Sequence, residues 1–151
     1  MKFLVDSMLG RLAKWLRILG YDTLYFSSLD DNDLVRIARA EGRIVLTRDR
    51  EMLRRRGIDS LLIESDNFEE QIPQVLHDLN LKLDESFSRC PVCNSPLQNV
   101  AKEAVRERVP PYVFKTQEQF SLCPQCDKIY WRGTHWQRMR ERLKRLEEER
   151  L

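Results

Sequence analysis

The chain lacks any apolar run approaching the roughly 20 residues that a membrane-spanning helix needs. Its opening, Met1-Lys2-Phe3-Leu4-Val5-Asp6, meets an acid too early for a secretory signal, so the expected compartment is the cytoplasm. There is no Gly-x-Ser-x-Gly, no P-loop and no Gly-x-Gly-x-x-Gly, which removes the sequence marks of serine hydrolases, P-loop nucleotide enzymes and dinucleotide oxidoreductases. Histidine is scarce. His77 falls on an expected helix surface, and His135 follows an expected cap, as a structural residue or a phosphate contact; neither has a nucleophile to serve. Internal repeats are absent except for a doubled Cys-Pro-x-Cys.

What is present suits a soluble α/β protein. Of 151 residues, 42% are apolar and 33% charged, enough for one modest domain or a small domain with an added module. Net charge is only +2, but it is unevenly spread. Residues 1–80 carry 12 Lys and Arg against 14 Asp and Glu, whereas residues 81–151 carry 14 against 10, a basic second half compatible with nucleic acid.

Short continuous apolar runs, Phe3-Leu4-Val5, Thr23-Leu24-Tyr25-Phe26, Ile44-Val45-Leu46 and Leu61-Leu62-Ile63, alternate with helical patterns. The first helix carries Leu9, Leu12, Leu16 and Leu19 and stops at Gly20. The second is capped at Asp31 and ends at Gly42; a short basic helix stops near Gly57; the last spans about 68–79, with Pro73 as a kink or a start. Runs without polar alternation indicate strands covered on both faces, and the alternation with helices implies a parallel sheet. A three-layer α/β domain is therefore expected over residues 1–83. Composition changes at Asp84: five of the six prolines and all four cysteines lie beyond it, so residues 84–151 read as a second module. That module ends in a helix from Thr134 with a stripe of Trp136, Met139, Leu143 and Leu146.

Cys90-Pro-Val-Cys93 and Cys123-Pro-Gln-Cys126 are separated by 29 residues. A two-residue gap lets both thiolates of one turn reach the same ion, and two such turns complete a closed tetrahedral S4 shell, the mark of structural Zn2+. The intervening segment is expected to form a hairpin or loop. Disulfides or a redox pair are the alternatives; a cytoplasmic chain disfavours the first, and a redox pair has no use for a matched second copy.

Aspartates follow every expected strand: Asp6 after the first, Asp30, Asp31 and Asp33 after the second, Asp49 after the third and Asp66 after the fourth. In a parallel sheet these points share the carboxyl edge, where α/β domains bind ligands. Converging carboxylates repel one another unless a cation neutralises them, and oxygen-only donors favour Mg2+ or Mn2+. Such an ion activates water for phosphodiester hydrolysis. Each acid also has a plain alternative: a helix cap for Asp31 and Asp66, solvation for Asp30, a salt bridge with Arg48 or Arg50 for Asp49.

The stretch from Phe3 to Thr23, FLVDSMLGRLAKWLRILGYDT, resembles the Mut7-C RNase family, as do Leu46-Thr47-Arg48-Asp49-Arg50, the paired Cys-Pro-x-Cys and Tyr130-Trp131-Arg132-Gly133-Thr134-His135-Trp136. The resemblance covers nearly the whole chain. It implies a PIN-like nuclease domain with a C-terminal zinc ribbon, and a metal-dependent ribonuclease activity. On this resemblance Asp6 and Asp49 are catalytic acids, Asp31 or Asp33 stands between them, and Asp66 is a fourth member.

RNA is the expected partner, with ribosome or tRNA as forms it could take. Arg11, Lys14 and Arg17 recur every three residues on the first helix, Arg48 adjoins Asp49, and Arg54, Arg55 and Arg56 follow. Backbone phosphates attract such charges. Tyr130, Trp131 and Trp136 either stack on unpaired bases or fill the ribbon core. Two other readings stand beside the ribonuclease: a non-catalytic RNA- or ribosome-binding adaptor, and a protein-interaction module built on the ribbon and last helix.

Overall fold

The computed structural model describes residues 1–82 and 88–149; the expected boundary at 83/84 lies outside them. Four strands, β1 (Lys2–Val5), β2 (Asp22–Tyr25), β3 (Ile44–Thr47) and β4 (Asp59–Leu62), form one parallel sheet in the order β2-β1-β3-β4. The second and fourth begin one and two residues earlier than the apolar runs suggest. Both are edge strands, where the ladder extends into polar residues such as Asp22, Asp59 and Ser60.

The two-residue period of a strand divides β1 between two cores. Phe3 and Val5 join Leu12 and Leu16 of α1 (Gly10–Ile18) and Ile72 and Val75 of α3 (Phe68–Asp78). Leu4 and Val45 join Leu34, Val35 and Ala38 of α2 (Asp31–Glu41), with Met52 beside them. The result is the three-layer α/β arrangement that continuous apolar strands require. Short 3-10 turns, Ser7–Leu9 and Arg50–Arg54, stand where α1 begins and where the basic helix is expected.

Helix ends follow local chemistry, with two corrections. Asp30, not Asp31, caps α2: its Oδ1 accepts the Asp33 N–H at 2.8 Å, and Asp31 is the first helical residue. Asn67, not Asp66, caps α3 through the Glu69 N–H at 3.1 Å. Gly42 takes φ +65° at the end of α2, a conformation that a Cβ disfavours. Pro73 lies inside α3, which runs on through it to Asp78.

The second module is a three-stranded antiparallel sheet of β5 (Gln98–Val100), β6 (Phe120–Cys123) and β7 (Lys128–Tyr130), order β5-β6-β7. Between the knuckles, where a hairpin or loop is expected, β5 pairs antiparallel with β6, and the connection between them carries a 3-10 turn at Lys102–Val105 and α4 at Pro111–Thr116. Val105, Val113 and Phe120 build its small core. The last helix, α5 (Thr134–Glu149), returns to the first module: Met139 and Leu143 are buried in the α1–α3 core, and Arg142 pairs with Glu69 at 2.8 Å.

Candidate functional site

The sheet order creates a divergence. From β1 the chain leads to β2 on one side, and from β3 to β4 on the other, so their carboxyl ends flank a topological switch point. Asp6 and Asp49 stand there. Asp6 directly follows β1 and extends its pairing, donating its N–H to Leu46 O at 3.0 Å. Thr47, the wholly buried last residue of β3, links the two acids: its hydroxyl donates to Asp6 Oδ2 at 2.8 Å and accepts the Asp49 N–H at 3.0 Å. Asp49 Oδ1 accepts the Glu51 N–H at 2.9 Å, capping the following 3-10 turn. Asp6 Oδ1 receives the Ser7 hydroxyl at 3.2 Å, and Asp49 Oδ2 has no hydrogen-bond partner among the described residues.

The other acids lie farther out. Strands are spaced about 4.8 Å apart, so the ends of β2 and β4 stand roughly 14 Å from each other. Asp31 is exposed at the start of α2, and Asp33, in the same first turn, pairs with Arg36 at 2.7 Å. Asp66, beyond β4, lines a groove of about 630 Å³ with Met8, Arg11 and Phe68. Among the described residues these aspartates do not draw together as closely as the cysteines do.

The four sulfurs converge within 4.8 Å of one another, although Cys93 and Cys123 stand 30 positions apart in the chain. Both knuckles have the same construction. The residue after each second cysteine, Asn94 or Asp127, takes a positive φ (70° and 53°), which short polar side chains tolerate. Each returns its N–H to the first cysteine's carbonyl, Cys90 or Cys123, at 2.9 and 2.8 Å. The Cys126 N–H points at Cys123 Sγ (3.3 Å), and Tyr130 Oη lies 3.1 Å from Cys90 Sγ. Backbone and phenol groups placed around the sulfurs suit thiolate ligands. Hydrogen bonding to Ser95 draws the Cys93 thiol down to about 6, while hydrogen bonding to Cys93 pushes Cys126 up to about 12. Such a set can hold one zinc ion.

Residues 1–143 match the Mut7-C RNAse domain. The chain belongs to the Mut7-C family. No curated protein matches it, and no solved structure does. Membership carries an RNase-type function and RNA as the substrate class.

Within this Mut7-C chain the basic residues of α1 divide. Arg11 and Lys14 are exposed, with the Arg11 guanidinium 4.2 Å from the centre of the Phe68 ring. Arg17 is a correction: it is only 7% exposed, and it donates to the carbonyls of Thr23 (2.8 Å), Pro91 (2.8 Å) and Val92 (3.2 Å). A guanidinium used up by the chain's own carbonyls fastens the first knuckle to α1 and is not open to phosphate. Arg48 is half-buried beside Asp49.

Sequence reasoning passed over the supports. Thr47 sits in the Thr-Arg-Asp motif as a mere spacer until the fold brings it under Asp6. Tyr25 donates its hydroxyl to Ser7 O at 2.9 Å, pinning the turn after Asp6. A Cβ on Gly10 would lie 3.1 Å from that phenol oxygen, so glycine there permits the close approach. A polar residue ending an otherwise apolar strand was the available signal for Thr47; nothing local marks Tyr25.

Proposed function

We propose that the chain is a PIN-like ribonuclease that hydrolyses RNA phosphodiester bonds at the carboxyl edge of its parallel sheet, with Mg2+ or Mn2+. The observation that carries this reading is the Asp6–Thr47–Asp49 link at the switch point. The buried Thr47 hydroxyl ties the Asp6 carboxylate to the backbone of Asp49 and so places the two acids side by side, as a metal site demands.

Asp6 and Asp49 would hold the ion, with Asp31 or Asp33 approaching from the β2 side and Asp66 from the β4 side. Their donor set is oxygen alone, which fits a hard divalent cation. When bound, such an ion supplies a water of lowered pKa and offsets charge on the phosphate. The chain's own part is positional. Thr47 fixes Asp6 Oδ2 by donation, and Oδ1 accepts only the exposed Ser7 hydroxyl among the described residues. Arg11, Lys14 and Arg48 attract the RNA backbone and set the strand across the edge.

The cysteine cluster, on this reading, holds Zn2+ as a structural ion that stabilises a module too small to fold on its apolar core alone. Reduced thiols of this kind suit the cytoplasm. Ribosomal RNA or tRNA would be natural substrates.

The decisive experiment uses zinc-loaded chain freed of other divalent ions. Adding Mg2+ or Mn2+ should start cleavage of RNA, and Asp6→Asn and Asp49→Asn should abolish it while RNA binding persists. Equal cleavage by both variants, or without added metal, would assign the activity elsewhere. Tight binding with no cleavage under any metal would leave the adaptor reading in its place.

A further inference from the structure

A second cavity lies away from the carboxylate edge, at the seam between the two modules. It measures about 410 Å³ and is walled by Trp15 and Ile18 of α1, Tyr130 at the end of β7, Trp131 beyond it, and His135 and Trp136 at the start of α5. Its walls are mostly aromatic, no carboxylate lines it among the described residues, and each module supplies one side. Tyr130 is itself held against Cys90 Sγ, so the cysteine cluster positions one wall.

Cations neighbour the lining residues. Lys14 precedes Ile18 by one helical turn and shares its face. Lys128 shares with Tyr130 one face of β7, two residues along. The Arg132 guanidinium lies 4.9 Å from the centre of the Trp136 ring. One wall residue also leads toward the carboxylates: Trp15 packs on Phe68 with centroids 6.4 Å apart, and Phe68 with Arg11 lines the separate groove that contains Asp66. Rings with cations on the neighbouring positions match the repeating chemistry of a single nucleic-acid strand, flat base beside anionic phosphate.

We propose that this cavity takes one unpaired nucleobase of single-stranded RNA, stacked on Trp15 and His135, with the adjoining phosphates met by Lys14, Lys128 and Arg132. The site rests on the ribonuclease reading and sharpens its substrate class to unpaired RNA. A duplex keeps its bases stacked inside and cannot offer one to a walled cavity.

The test is fluorescence anisotropy of the zinc-loaded full chain, without Mg2+ or Mn2+, using a short single-stranded oligoribonucleotide, its abasic counterpart and its duplex. The single strand should bind roughly tenfold or more tighter than the other two. Trp15→Ala and His135→Ala should each remove much of that preference, and Trp15→Phe should restore it. His135 is exposed, so its variant tests the cavity even where Trp15→Ala fails to fold. Equal binding of abasic and normal strands, or an unchanged preference in His135→Ala and a folded Trp15 variant, would overturn the proposal. So would an apolar peptide filling the cavity with no competition from RNA. Cleavage with added metal is measured separately. Base-dependent binding without cleavage would keep the cavity and end the nuclease reading; cleavage with no base dependence would do the reverse.

Discussion

Thr47 shows how little chemistry is needed to couple two acids. One hydroxyl, fully buried, gives its proton to Asp6 Oδ2 and takes the Asp49 N–H. Valine has nearly the same shape and neither function. Thr47→Val should therefore lower metal-dependent cleavage by about 10–100-fold, the usual cost of losing a support behind a metal ligand. It should also destabilise the fold by about 1–3 kcal/mol through the unpaired Asp49 amide and Asp6 carboxylate. Thr47→Ser keeps the hydroxyl and should keep most of the activity. Paired cleavage rates and urea midpoints decide this; a Thr47→Val protein as active as the parent would mean that the link has no part in the reaction. The acids themselves were legible in the sequence because each follows an apolar run. Thr47 was not, because its role depends on β1 and β3 becoming neighbours despite the intervening β2, which only the sheet order settles.

At the level of elements, caps separate acids of structure from acids available for chemistry. Asp30 closes the first turn of α2, and Asp31 is its exposed first residue. Asp30→Ala should cost about 1 kcal/mol in urea denaturation, while Asp31→Ala, which removes no cap, should cost a few tenths. Equal losses would return the cap to Asp31. A run of Asp30-Asp31-Asn32-Asp33 offers several residues competent to cap, so sequence alone leaves the register of the helix start open by one. The face of α1 divides in the same manner. Arg11→Ala with Lys14→Ala should weaken RNA binding and reduce the slope of log affinity against log salt by about one per lost contact. Arg17→Met should leave that slope unchanged and lower stability instead, since it deprives three carbonyls of their donor. Periodicity of three put all three cations in one row; burial of the third comes from the knuckle that packs over it, 74 residues away.

On the scale of the molecule, the two modules are joined by polar groups as well as by α5. β2 is an edge strand, and the Thr23 N–H on its open side is met by Asn94 Oδ1 at 3.0 Å, which caps an edge that would otherwise invite pairing. Asn94 in turn donates to Asp22 Oδ1 at 2.7 Å, and Arg43 donates to the same oxygen at 2.9 Å. The sequence announced both modules, through apolar runs in one and cysteine spacing in the other, but not this seam, because no local pattern records which edge strand a knuckle will cover. Burial works to raise the pKa of the Asp22 carboxyl, yet the bonds from Arg43 and Asn94 outweigh it and hold the value below the ordinary one. A carboxyl with a lowered folded pKa adds stability above its unfolded value, about 3.9, and loses it as pH falls through the folded one. Asp22→Asn keeps the size and removes the charge. At pH 7 it should cost about 1.5–3 kcal/mol, the range for hydrogen bonds to a charged group. The gap between the two proteins should hold down to about pH 5 and then narrow through pH 4 and below. Protonation of the four thiols in acid, with loss of any ion they hold, would weaken both proteins alike, so the difference between them isolates Asp22. Urea denaturation at a series of pH values measures it, and a gap as wide at pH 3 as at pH 7 would show that the Asp22 charge contributes nothing to holding the ribbon against the sheet.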